Sequence, residues 1–103
     1  MVYNKAIRDK IPEIIKKSGF DCNVQKLPDD EFLKKLEEKL LEEVSEYVES
    51  KSFEELADIL EVVFQIAKLS GISKEKLEEI RIKKNNERGG FNQNLFLIDT
   101  DKQ

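Results

Sequence analysis

Four acidic residues, Glu43, Glu46, Glu55 and Asp58, form two three-residue steps, ExxE and ExxD, with eight residues between them. On an α-helix, positions i and i+3 share a face about one turn apart, so each step aims two carboxylates at one region. Two such steps on adjacent helices make an all-oxygen donor set, the chemistry that suits a hard divalent cation such as Mg2+. The chain has no histidine and a single cysteine, Cys22, which excludes His-based zinc sites, His-dependent triads and an intramolecular disulfide.

The elements that position these acids follow from periodicity. Pro28 and Asp29 open a helix to about Ser50, on which Phe32, Leu33, Leu36, Leu40, Val44 and Tyr47 fill one stripe. Counting about 100° per residue from Leu36 puts Glu43 at about −20°, inside that stripe, with Glu46 at its margin. Ser52 starts a third helix that Gly71 ends, and its apolar residues cover roughly 240° of the circle. On it Glu55 lies between Val62 and Ile66, while Asp58 borders Leu69. An isolated carboxylate in such surroundings must protonate or find a partner, and a bound cation meets that need.

Glu55 has a second reading of equal weight. Ser52 stands three residues before it, the spacing of a capping box in which the two residues satisfy each other's terminal backbone donors. Both readings stand at this level. Glu42 has the pattern of an ordinary solvated acidic face.

The remaining chain is expected to be helical as well. Asn4 to Ser18 reads as a helix with Ile7, Ile11, Ile14 and Ile15 on one side and Gly19 as its stop; Pro12 alternatively marks the first turn of a shorter helix preceded by a loop. Residues 20–27 read as extended or irregular. Ser73 caps a fourth helix towards Glu87 or Arg88, and Gly89-Gly90 breaks it before the apolar tail Phe91 to Ile98. The expected fold is an all-α bundle of four main helices in a single domain spanning residues 1–103.

A chain of 103 residues builds only a modest core. The nearly all-round apolar helix needs cover on most sides, so a helical homo-oligomer is expected. The net charge of −4 argues against a general nucleic-acid binder. No apolar run is long enough for a signal peptide or a membrane span, and a cytoplasmic location is expected.

Two basic stretches flank the acids. KKNNERGGF (83–91) reads either as a charged helix end stopped by glycines or as a phosphate clamp built on Arg88 and a lysine. NKAIRDK (4–10) reads either as ordinary surface or as a second phosphate contact.

Together, EEVSE (42–46), a short loop and EELAD (54–58) resemble the MazG-like nucleotide pyrophosphohydrolases, whose pattern is ExxE followed by ExxD. The flanks YNKAIRDKIPEII (3–15) and ERGGF (87–91) are similar to the phosphoribosyl-ATP pyrophosphohydrolase-like subgroup, so the resemblance covers about 90 of the 103 residues. It implies an all-α NTP pyrophosphatase fold, Mg2+ (with Mn2+ as an alternative) held by Glu43, Glu46, Glu55 and Asp58, and an active site shaped by homodimer or homotetramer assembly. It also implies cleavage between the α- and β-phosphates of a nucleotide, giving a monophosphate and pyrophosphate. The gap between Glu46 and Glu55 is short for that family, in a region that helps to form the nucleotide pocket.

In that chemistry Glu42, Glu43, Glu46 and Glu61 are the catalytic candidates, with Glu42 or Glu61 as the acid that orients or deprotonates the attacking water. Lys83, Lys84, Asn85 and Arg88 are the candidate phosphate or sugar contacts, joined by Arg8 and Lys10. The rival expectation is a non-catalytic helical oligomerisation or regulatory module.

Overall fold

A computed structural model describes residues 1–102. It contains four α-helices and, among the described residues, no strand: α1 Ile11–Lys17, α2 Asp29–Ser50, α3 Phe53–Leu69 and α4 Lys74–Arg88. The all-α expectation holds.

Local sequence explains each boundary. α1 has Pro12 in its first turn, where the missing N–H costs nothing, and it ends at Gly19, whose φ of +92° suits glycine. The helix is therefore the shorter of the two expected forms, and Tyr3 to Lys10 precede it without helical structure. α2 starts after the extended Pro28, and Asp29, Asp30 and Glu31 place negative charge on the positive pole of its first turn. It stops at Lys51, a non-glycine residue in the left-handed conformation (φ 59°, ψ 21°), whose N–H donates to Tyr47 O at 2.7 Å. Only Lys51 and Ser52 separate α2 from α3.

Both later helices begin at a serine cap. Ser52 Oγ accepts from the Glu54 N–H at 3.2 Å, and Ser73 Oγ accepts from the Lys76 N–H at 3.0 Å. α4 ends at Gly89, with φ of +82°.

α2 and α3 form an antiparallel hairpin that holds the core, and α4 touches α3 but not α2. Leu36 and Val62 are buried at its centre with Phe32, Leu40, Ile66 and Leu69 packed around them. The third buried member is Ala6, 4% exposed, from the segment ahead of α1. α1 itself makes no close backbone approach to another helix and buries no residue.

The protomer is elongated, 64 × 32 × 22 Å, with a radius of gyration of 18.3 Å. A compact chain of this length has about 13 Å. Large apolar side chains are correspondingly uncovered: Leu41 is 73% exposed on α2, Phe53 84% on α3 and Phe91 97% in the tail. Among the described residues no helix is long and apolar enough to cross a membrane.

Candidate metal centre

The hairpin brings the two acidic steps together. Because the connection is two residues long, the last two turns of α2 lie beside the first two turns of α3. Glu43, Glu55 and Asp58 each offer a carboxylate oxygen within 4.8 Å of the others. Glu46 sits on the exposed edge, close enough to Glu55 to raise its proton affinity.

Glu43 is the buried member, at 6% exposure, as its place in the apolar stripe predicts. One of its oxygens, Oε1, lies 3.4 Å from Lys39 Nζ, an i,i+4 pair largely withdrawn from solvent. The other, Oε2, is buried without a hydrogen-bond partner among the described residues, and so is Glu55 Oε2. Buried carboxylate oxygens normally have partners, so two orphans in one cluster mark an unmet demand for a proton or a cation.

The electrostatics agree. The carboxyl of Glu55 is pushed up from 4.5 to about 7, first by Glu43, with which it can share a proton, then by desolvation and by Glu46. Ionised, the pair leaves two oxygens unsatisfied; protonated, Glu55 can donate to Glu43. A divalent cation would satisfy both oxygens without the proton. The donor set is entirely carboxylate, which fits Mg2+ or Mn2+.

The capping-box alternative for Glu55 fails in its second half. Ser52 does cap α3, but through the Glu54 N–H, and its own N–H donates to Ser50 Oγ at 3.2 Å rather than to Glu55. The Glu55 carboxylate is thus available to the cluster.

The other candidates fall into two groups. Arg8 is at the cluster, where Nη2 donates to Asp58 Oδ1 at 2.6 Å, and Glu42 is bound by Lys5 Nζ at 3.1 Å. Lys10 and Glu61 are exposed, with no ion pair among the described residues. Lys83, Lys84, Asn85 and Arg88 are also exposed, on an α4 that does not approach α2; Lys83 lies 4.0 Å from Glu87 on its own helix. One protomer therefore does not gather the α4 cations at the carboxylates.

Lys39 and Lys5 are the neighbours that the sequence reading passed over. Lys39 is legible in retrospect from its i,i+4 spacing to Glu43. Lys5 is 37 residues from Glu42, and no local rule connects them. A groove of about 470 Å3 between α3 and α4, against Phe64, Lys74 and Ile82, includes none of the clustered carboxylates.

No family model matches the chain, and no curated protein or solved structure matches it significantly.

Proposed function

We propose that the chain is a MazG-like nucleotide pyrophosphohydrolase, acting as a homo-oligomer in the cytoplasm. Glu43, Glu46, Glu55 and Asp58 hold Mg2+, or Mn2+, and the α–β phosphoanhydride of a nucleoside triphosphate or related nucleotide is cleaved. The observation that carries this reading is the pair of orphaned oxygens, Glu43 Oε2 and Glu55 Oε2, in a cluster with Asp58. A core-facing carboxylate pair costs stability, and cation binding gives that cost a use.

Bound Mg2+ would neutralise phosphate charge and make water a better nucleophile. Among the chain's own residues, Glu43 and Glu55 form the inner side of the site, Glu43 buried on α2 and Glu55 opposite it on α3. A carboxylate takes the proton as water oxygen attacks the α-phosphorus and the bond to the bridging oxygen breaks, releasing pyrophosphate. Glu42, engaged by Lys5, and Glu61, exposed three residues beyond Asp58, are the two acids proposed to orient or deprotonate that water.

The oligomer, a dimer or tetramer, is supported by the elongated protomer and the uncovered Leu41, Val44, Val48 and Phe53. Association is also the arrangement in which Lys83, Lys84, Asn85 and Arg88 can serve a carboxylate site, since α4 stays clear of α2 in its own chain.

The deciding experiment is incubation of the protein with a panel of nucleoside triphosphates and phosphoribosyl nucleotides plus Mg2+, assayed for pyrophosphate. Metal-dependent release is expected. Absence of turnover across the panel would favour the non-catalytic oligomerisation module.

A further inference from the structure

The segment ahead of α1 is a strap across the hairpin. Ala6 anchors it, buried against Leu36 and Val62, and two cations flank the anchor. Lys5 Nζ reaches Glu42 Oε1 at 3.1 Å, and Arg8 Nη2 reaches Asp58 Oδ1 at 2.6 Å. Arg8 therefore contacts a member of the carboxylate cluster directly, while Glu43 has Lys39 and Glu55 has no ion-pair partner among the described residues.

Two features set this ion pair apart. It is half-exposed on both sides, with side-chain accessibilities of 53% for Arg8 and 37% for Asp58, so it is weak and screened. It is also distinct from the strap's other attachments, the buried Ala6 and the Lys5–Glu42 pair, neither of which involves the Arg8 side chain.

We propose that Arg8 is an exchangeable counter-ion: it neutralises Asp58 until a divalent cation takes that carboxylate, and the released guanidinium then binds a phosphate oxygen of the nucleotide. The proposal rests on the reading of the cluster as a cation site. A guanidinium and a divalent cation on one carboxylate repel each other, and the more highly charged ion, bound by several carboxylates at once, displaces the weaker exposed pair. A guanidinium freed beside the cluster is well suited to phosphate, which it binds with two parallel N–H donors. The strap then links cation occupancy to anion binding, since the residue that leaves Asp58 is the one that meets the substrate.

Calorimetric titration of the full chain with Mn2+, without nucleotide, tests the exchange. Arg8→Gln removes the competing charge and is expected to tighten Mn2+ binding about two- to tenfold over wild type, whereas Arg8→Lys keeps wild-type affinity. Lys17→Gln, a remote exposed charge paired with Glu13, controls for net charge and is expected to change nothing. With Mn2+ saturating, both Arg8 variants are expected to bind a non-hydrolysable triphosphate analogue about tenfold more weakly than wild type. Mn2+ affinity that is unchanged or weaker in Arg8→Gln would overturn the exchange and leave Arg8 as a fixed support for Asp58. Wild-type protein that binds no Mn2+ would overturn the cation-site reading itself, and the exchange with it.

Discussion

Glu43 of α2 and Glu55 of α3 face each other across the hairpin, each with one buried oxygen that has no hydrogen-bond partner among the described residues. Neither helix explains this alone. Glu43 enters the interface because it sits in the apolar stripe of α2, and Glu55 meets it because two residues turn the chain back.

Their opposition predicts an unusual pH dependence of stability. The Glu55 carboxyl titrates at about 7 in the folded protein against 4.5 ordinarily, so the folded state holds a proton that the unfolded state releases. The stability linked to that proton is fully present below pH 4.5 and is lost as pH rises through 7. Metal-free protein in EDTA should therefore show a melting temperature that falls between pH 5 and pH 8. Glu55→Gln should flatten the fall, and saturating Mg2+ should remove it in wild type. A melting temperature that rises across this window in EDTA would contradict the raised carboxyl.

Ligand and cap roles separate by mutation. Glu43→Gln keeps the shape of the side chain and removes a charge, so its helicity and melting temperature in EDTA should hold or rise. Activity should fall by about 100-fold or more, the scale of several kcal/mol of charge stabilisation lost. Ser52→Ala should do the reverse, costing about 1 kcal/mol through the lost bond to the Glu54 N–H and leaving metal binding intact. Thermal melts and Mn2+ titrations on the same two variants read both quantities. Full activity in Glu43→Gln would remove it from the site.

The apolar surface predicts assembly. Light scattering should give a particle mass of at least twice the 12.0 kDa protomer. Leu41→Asp, a charge placed in the uncovered stripe of α2, should return the particle to protomer mass. A wild-type protein that scatters as a 12.0 kDa monomer would exclude the oligomer and leave the exposed stripes without a role.

Much of the architecture was legible because punctuation residues stand where the helices start and stop. Ser52 and Ser73 cap, Pro28 opens, and Gly71 and Gly89 close, so three of the helix assignments follow from local chemistry. Rotation about α2 also placed Glu43 correctly, because burial on a helix follows its period. The same period misled over Ile7, Ile11, Ile14 and Ile15, an apolar set whose helix is only seven residues long and packs on no other. Pro12 was the better guide there. Ala6, the true core residue of the N-terminal segment, carries no pattern, since a methyl group in a loop gives no periodicity to read. The contacts of Arg8 with Asp58, 50 residues away, and of Lys5 with Glu42 arise only from how the strap crosses the hairpin.

The two-residue turn at Lys51 and Ser52 has a consequence for how the carboxylate cluster comes into being. Glu43, Glu46, Glu55 and Asp58 all lie within sixteen consecutive positions, from 43 to 58. Gathering them closes one short loop, at little entropic cost, and does not wait for distant parts of the chain to find one another. Charge repulsion among these acids therefore needs only the α2–α3 hairpin to form, and not the packing of α4. Magnesium present during refolding should speed the reaction if it engages the hairpin at that stage, and slow only unfolding if it engages later.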